Sequence, residues 1–329
     1  MKLFRILLAP LGIIYWLITY CRNLCYDWGI FKSYKIPTKS IAVGNLSVGG
    51  TGKTPHIEYL IRLLSNKKIA TLSRGYMRKS KGFVLADEKS TAVILGDEPY
   101  QFYSKFKNQI SVAVDANREN GVKQLQELVN PDVILLDDAF QHRKVKAGFY
   151  MLLTDYNKLF VDDFILPFGD LRESAIGKKR ANMIIVTKCP KDISEIAMQK
   201  IRKKLHVSVP VFFSTICYDE FVYNDIEKLS LSAIDAKVIV AGIARPKPFV
   251  DFVKKENDEV LLFPDHHNFS EEDIAKILAI ANGRKIITTE KDYTRLKNKI
   301  NKEQLYYLPI TIEINNATAF TKIINDYVE

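Results

Sequence analysis

Along the chain, short apolar runs alternate with stretches in which apolar residues recur every three or four positions. The runs at 41–43, 69–72, 110–114, 133–136, 150–153, 183–186 and 209–213 predict strands. Between the first two, Ile57, Leu60, Ile61 and Leu64 stand at i, i+3, i+4 and i+7, one face of a helix. Alternation of this kind predicts a mostly parallel sheet with helices on both faces. A second alternating block starts near Lys237, with strands predicted at 238–241, 260–263, 285–288 and 305–314. There, Ser270-Glu271-Glu272-Asp273 reads as a helix cap with an acidic first turn. Residues 214–235 have weak periodicity and are read as a linker.

The N-terminus follows another pattern. Residues 3–20 are mostly apolar, and the uncharged run is 6–21. As a helix that run reaches ~24 Å, short of the ~30 Å hydrocarbon core of a bilayer. Pro10 and Gly12 interrupt it, Lys2, Arg5 and Arg22 flank it, and Tyr15, Trp16 and Tyr20 supply amphipathic aromatics. Tyr20-Cys21 is not a signal-peptide cleavage site. A buried core helix is the plain alternative; an interfacial anchor fits the length and flanks better. Basic flanks favour anionic lipid on a cytoplasmic face.

Length and composition narrow the class. The 329 residues suit about two domains of ~150 residues. With 47% apolar and 26% charged residues, a disordered or fibrous chain is excluded. Lys plus Arg number 48 against 38 Asp plus Glu, a net charge of +10. That suits an anionic partner without choosing one, and no basic stripe with interleaved aromatics points to nucleic acid. Cys21, Cys25, Cys189 and Cys217 lack the paired spacing of a zinc site and read as reduced thiols.

The chemistry concentrates after the first strand, in Gly44-Asn45-Leu46-Ser47-Val48-Gly49-Gly50-Thr51-Gly52-Lys53-Thr54-Pro55. A strand enters a glycine-rich turn and leaves as an amphipathic helix, the layout of a P-loop. Glycines let successive backbone N–H groups face one concavity, and the helix N-terminus adds its dipole. Lys53 is placed to reach the β- and γ-phosphates and the Thr54 hydroxyl to bind Mg²⁺. Ser47 stands where the strict pattern has its first glycine. The strand at 133–136 ends in Asp137-Asp138, as a second Mg²⁺-holding strand does. Thr187-Lys188-Cys189-Pro190 resembles a guanine reader, but Pro190 replaces the Asp that would bind the base, which favours ATP.

Further groups admit plainer readings. Asp97 and Glu98, in Gly96-Asp97-Glu98-Pro99, are either helix-start carboxylates or a general base for a hydroxyl. Ser73-Arg74-Gly75-Tyr76 follows a strand at the carboxyl edge where α/β sheets bind ligands. Arg172 and Glu173 set an arginine beside a carboxylate. His266-His267, after Phe263-Pro264-Asp265, are surface residues, metal ligands or proton carriers.

In this order, these pieces resemble the tetraacyldisaccharide 4′-kinase family of the lipid A pathway. Gln141-His142, Leu166-Pro167 with Gly169, Ala241-Gly242-Ile243 with Pro246 and Phe249, and Thr288-Thr289-Glu290-Lys291-Asp292 extend the match over residues 43–292. A long loop with serine in the first-glycine position belongs to that family. Ala139-Phe140, Met77 and Asp170 depart from its usual residues without removing a catalytic group.

The resemblance implies a P-loop NTPase-like kinase domain (31–213), the linker (214–235) and a smaller α/β domain (236–329), behind a membrane-associated helical segment (1–30). It implies ATP and Mg²⁺, a lipid A disaccharide precursor as acceptor, and a monomer at the cytoplasmic face of the bacterial inner membrane. By resemblance, Ser47, Val48, Gly49, Gly50, Thr51, Gly52, Lys53 and Thr54 hold nucleotide; Thr54, Asp137, Asp138 and Glu173 hold the metal. Arg74, Tyr76 and Arg172 contact substrate. Asp97, paired with His266 or His267, accepts the hydroxyl proton. The competing expectation is a membrane-associated P-loop ATPase that switches a protein partner.

Overall fold

A computed structural model of the protein describes residues 9–329. The chain opens with α1 (Ala9–Asp27), β1 (Tyr34–Lys35), β2 (Lys39–Asn45), α2 (Lys53–Leu63), β3 (Ile69–Ser73) and β4 (Val84–Leu85). It continues with α3 (Ala92–Leu95), α4 (Asp97–Phe106), β5 (Ile110–Val114), α5 (Arg118–Leu128), β6 (Val133–Asp137), β7 (Val145–Lys146), β8 (Phe149–Asp155), β9 (Met183–Thr187), α6 (Glu195–Leu205) and β10 (Val211–Tyr218). Then come β11 (Phe221–Tyr223), β12 (Lys228–Ser230), β13 (Val238–Ala241), α7 (Lys247–Val253), β14 (Glu259–Leu262) and α8 (Glu271–Ala281). The last elements are β15 (Ile286–Thr289), α9 (Glu290–Leu296), β16 (Leu305–Leu308), β17 (Ile310–Ile314) and α10 (Ala317–Val328).

The strands form two main sheets. The larger has nine, in the order β17-β10-β9-β8-β2-β6-β3-β5-β4. Its edge strands β17 and β4 are antiparallel to their neighbours, and every other pairing is parallel. Helices cover both faces, which is why the central strands read as unbroken apolar runs rather than alternating ones. All five residues of β6, Val-Ile-Leu-Leu-Asp, are buried. The smaller sheet has six strands, in the order β12-β11-β16-β15-β13-β14, with a parallel centre.

The chain crosses between the sheets differently from the expected division. The predicted linker is strand: β10 runs on to Tyr218 in the larger sheet, and β11 and β12 already belong to the smaller one. These short strands sit near sheet edges, half-buried, so they lack the apolar runs of central strands. The single strand expected at 305–314 is two. Pro309 separates them, because it has no N–H for a ladder and a fixed φ. β16 stays in the smaller sheet and β17 pairs with β10 in the larger. α10 follows β17 back, burying Phe320, Ile324 and Val328 against the core of Ile41, Val43 and Met151. The two crossings touch, with Asp219 N donating to Pro309 O at 3.2 Å.

Residues 1–8, and with them part of the predicted anchor, lie outside the described residues. α1 starts with Pro10 in its first turn, where the missing N–H costs nothing. Gly12 packs 3.6 Å from the Phe168 side chain, measured from where its Cβ would stand. Tyr15 Oη donates to Arg172 O (2.9 Å), Asn23 Nδ2 to Glu173 Oε2 (2.7 Å) and Arg22 Nη2 to Gln141 O (2.9 Å). These contacts dock one face of α1 on the larger sheet's loops. Leu11, Ile13, Ile14, Leu17 and Ile18 on the rest of the helix are exposed. No helix among the described residues is long and apolar enough to cross a membrane.

Candidate active site

The glycine-rich turn lies at the carboxyl end of β2 and delivers the chain into α2. Gly49 and Gly52 take φ of 100° and 86°, a region that side chains avoid. Neighbouring loops fix the turn. Ser47 bridges Leu171, and Val48 N donates to Asp170 O at 2.7 Å. Thr187 Oγ1 donates to Thr51 O at 2.9 Å, and Lys188 Nζ donates to Gly50 O. His56, in the first turn of α2, is fully buried between Gly52 O (2.6 Å) and Ser214 Oγ (2.9 Å). Burial pushes it down to about 4, against the Gly52 hydrogen bond, so it serves the turn as a neutral ring.

β6 carries Asp137-Asp138 to the same edge. Asp138 lies 3.5 Å from Lys53 Nζ and accepts both Arg172 Nη1 contacts, at 3.0 and 2.9 Å. Burial works to raise it, but Lys53 and Arg172 outweigh this and hold it below the usual carboxylate range. Asp137 is the opposite case. Burial raises it to about 7; Lys53 opposes this, and the Asp138 and Glu98 carboxylates add to the rise. Among the described residues its Oδ1 has no hydrogen-bond partner. A buried carboxylate with an orphaned oxygen beside a second carboxylate suits a hard cation, and Thr54 in the first turn of α2 offers a third oxygen. Among the described residues no group of three acidic, His or Cys side chains forms a metal cluster, so the remaining ligands would have to come from water or nucleotide.

Glu173 has a different place from the one read in the sequence. Its buried carboxylate accepts from Arg180 (2.7 Å) and Gln141 (3.0 Å) at Oε1 and from Asn23 (2.7 Å) at Oε2. With both oxygens taken by protein donors, it ties α1 to the loop carrying Arg172 rather than offering a metal ligand.

The smaller sheet closes the site from the other side. Asp97 starts α4 behind Gly96, whose φ is 91° and whose Cβ would stand 3.0 Å from Tyr76 O, so glycine is required there. From α9, Arg295 forms a close ion pair with Asp97, its Nε donating at 3.1 Å. His266 Nδ1 lies 3.7 Å from Asp97 Oδ2 and 3.2 Å from Arg295 Nη2. Lys291 Nζ, one turn before Arg295, is 2.9 Å from His266 Nε2 and 3.7 Å from Glu98. A neutral imidazole accepts at one nitrogen, so His266 serves only one of these cations at a time. The exposed Tyr76 packs edge-on to the His266 ring, centroids 6.1 Å apart.

His267 is engaged elsewhere. Its Nε2 meets Asp273 at 2.8 Å, within the capping box that Ser270 and Asp273 form on α8. The structure thus brings together Lys53, Asp137, Asp138 and Arg172, and separately Asp97, His266 and Tyr76, with Glu98 joining the groups. Arg295 and Arg245, which pairs with Asp155 at 2.7 Å, escaped the sequence reading. Lys291 fell within a noted motif, and Arg295 follows one turn later on α9, but nothing in the sequence aims that turn at Asp97.

A sequence model of the LpxK family, tetraacyldisaccharide-1-P 4′-kinase, matches residues 4–329. The chain belongs to that family. A tetraacyldisaccharide 4′-kinase of Flavobacterium johnsoniae is 59% identical, covering 100% of this chain and 98% of its own length. The enzyme of that name from Bacteroides thetaiotaomicron is 45% identical over 98% and 92%. LpxK from Aquifex aeolicus, solved in complex with ATP, superposes with a TM-score of 0.83 at 29% identity, covering 99% of this chain and 100% of that one. The family is one of kinases, so a phosphoryl acceptor is expected beside the turn that begins α2.

Proposed function

We propose that this protein transfers the γ-phosphoryl group of ATP to the 4′-hydroxyl of a tetraacylated glucosamine disaccharide 1-phosphate at a membrane surface. The supporting observation is the convergence of Asp97, His266 and Arg295 from two sheets on the edge that carries Lys53 and Asp137-Asp138. A nucleotide-binding turn alone fits many proteins; a base held beside it by a second unit fits a hydroxyl acceptor.

In this reading the amides of residues 47–52, with Lys53, cradle the β- and γ-phosphates. Thr54, Asp137 and Asp138 hold Mg²⁺, which neutralises charge on the phosphates when bound. The resemblance also gives Glu173 to that metal, but its three donors favour a positioning role. Arg172 orients Asp138, and Arg74 and Tyr76 face the acceptor. Asp97 takes the proton of the 4′-hydroxyl as its oxygen bonds to the γ-phosphorus and the bond to the ADP oxygen breaks. His266, not His267, is its partner, because His267 is committed to Asp273.

The exposed apolar face of α1 lies on the bilayer, on the cytoplasmic side of the bacterial inner membrane, where a basic protein meets anionic lipid and ATP. The protein works as a monomer. The test is transfer of γ-³²P from ATP to the disaccharide 1-phosphate in detergent micelles. Labelled lipid is expected, and its loss in Lys53→Ala. Free phosphate without labelled lipid would instead mean an ATPase acting on a protein partner.

A further inference from the structure

The segment 164–180 runs alongside α1. Gly12 meets the Phe168 side chain, Tyr15 donates to Arg172 O, and Asn23 donates to Glu173, so the contacts climb both chains in the same order. Two large apolar side chains on this segment face solvent: Phe164, 62% exposed, and Ile176, 51% exposed. Neither has a part in the site described above.

A rigid backbone holds Phe164 out. Gly169 N donates to Ile165 O, Leu166 N to Leu171 O and Leu171 N to Phe164 O, each at 2.9 Å. A Cβ on Gly169 would stand 2.1 Å from Phe164 O, so the turn closes only around glycine. Lys158 pins both ends of the turn, pairing with Asp163 at 2.9 Å and with Asp170 at 2.5 Å. Phe164 packs edge-on to Phe168, centroids 4.9 Å apart, and Phe168 in turn touches α1. A turn fixed in this way does not fold back over its own aromatic. Exposed apolar groups that continue an exposed helix face mark a contact surface.

The rim of this strip is basic. Its last turn, Ala175–Arg180, meets the end of α6, where Lys178 Nζ donates to Leu205 O at 2.6 Å. There Lys179 and Lys203 are exposed and, among the described residues, form no ion pair. The neighbouring carboxylates are already matched: Asp163 and Asp170 by Lys158, Asp162 by Lys204 at 2.7 Å, and Glu195 by Arg202 at 2.8 Å. Apolar side chains beside unmatched lysines complement a surface that is apolar inside and anionic at its boundary, as a bilayer with anionic headgroups is.

We propose that the segment 164–180 is a second bilayer contact beside α1. Phe164 and Ile176 enter the boundary between headgroups and acyl chains, and Lys179 and Lys203 meet anionic headgroups. The proposal rests on the membrane reading of α1 given above. Arg172, which holds Asp138, lies within the same segment. Two contacts rather than one therefore fix how the edge carrying Lys53 stands over the bilayer.

The experiment reads single tryptophans in the full-length protein. One variant combines Trp16→Phe, Trp28→Phe and Phe164→Trp; the exposed position takes the larger ring without displacing packing. The other carries only Trp28→Phe and so keeps Trp16 of α1. Both are mixed with phosphatidylcholine–phosphatidylglycerol vesicles whose acyl chains are brominated. Quenching is expected in both variants. Quenching of Trp16 with none at position 164 overturns the second contact and leaves α1 alone on the bilayer. No quenching in either removes the membrane reading along with it. At the rim, Lys179→Gln with Lys203→Gln is expected to weaken flotation on these vesicles about twenty-fivefold, at about fivefold per lysine, and not on pure phosphatidylcholine. Equal flotation, or equal loss on both kinds of vesicle, overturns the headgroup contact. Transfer to a short-chain acceptor in solution should stay within about twofold in every variant, because none of these side chains belongs to the candidate active site.

Discussion

The two halves of the candidate active site are assembled in opposite ways. The half on the larger sheet is local: Ser47 to Thr54 are contiguous, and Asp137-Asp138 end the strand paired directly with β2. Its geometry follows from backbone rules, with glycines at positive φ and a helix starting directly after the turn, where first-turn N–H groups favour an anion. The half around Asp97 is tertiary. Asp97 starts α4, His266 sits in the loop after β14, and Arg295 is on α9, 198 residues from the carboxylate it meets. No spacing rule connects them. The first half is expected to hold the nucleotide whatever the second does, and the second to depend on how the two sheets are docked. Lys105 of α4 is part of that docking, bridging Glu58 of α2 (2.7 Å) and Glu290 of α9 (2.6 Å).

The largest effects should separate the halves by what is lost. Lys53→Ala is expected to abolish both nucleotide binding and transfer. Asp97→Asn should lower kcat by about 10²–10⁴, the range for a lost general base, with nucleotide affinity nearly unchanged. Isothermal titration with nucleotide beside single-turnover transfer reads both; a large fall in affinity in Asp97→Asn would mean that the halves are not separable.

The histidines sharpen the tertiary half. His266→Gln should cost about a hundredfold in kcat, while His267→Gln should leave kcat within a few-fold. The second variant loses the Asp273 contact, so a small fall in thermal midpoint is expected instead. Comparable kcat losses in the two would return the choice of partner for Asp97 to an open question.

A smaller effect tests α1. Ile13→Glu with Leu17→Glu places two charges on its exposed face, where each charge near a bilayer opposes burial. Flotation with anionic phosphatidylglycerol vesicles should show severalfold weaker association, while transfer to a short-chain acceptor in solution stays within twofold. Equal flotation would remove α1 from the membrane contact.

The smallest effect concerns Asp137. Its folded value of about 7 lies above the unfolded value of 3.8, so between them the folded state binds more protons. The contribution of Asp137 to stability is therefore full below pH 3.8 and lost as pH rises through 7. Thermal midpoints from pH 5 to 8 without metal should fall less steeply in Asp137→Asn than in the unaltered protein. Glu290, also raised to about 7 by burial and the Glu58 charge, contributes in the same direction in both proteins. An unchanged slope in Asp137→Asn would show that the carboxylate is already ionised in the free protein.

Much of this molecule was determined by sequence alone, where the deciding forces act over a few residues. The parallel order of the central strands, the turn after β2, the acidic end of β6 and the cap of α8 follow from burial periodicity and backbone conformation. The apolar run read as an anchor forms, over its described part, a helix with Leu11, Ile13, Ile14, Leu17 and Ile18 exposed. Three things were decided only by tertiary structure. Pro309 splits an apolar run whose halves join different sheets, because each strand finds its ladder partner far away in sequence. Glu173 meets Arg180, Gln141 and Asn23, and so is spent on packing although its neighbour Arg172 faces the acidic pair. His266 rather than His267 approaches Asp97, because the capping box of α8 takes the other ring. Adjacent, chemically identical side chains differ only in which neighbours the fold brings to them, and those neighbours are set by packing between elements, not by the residues on either side.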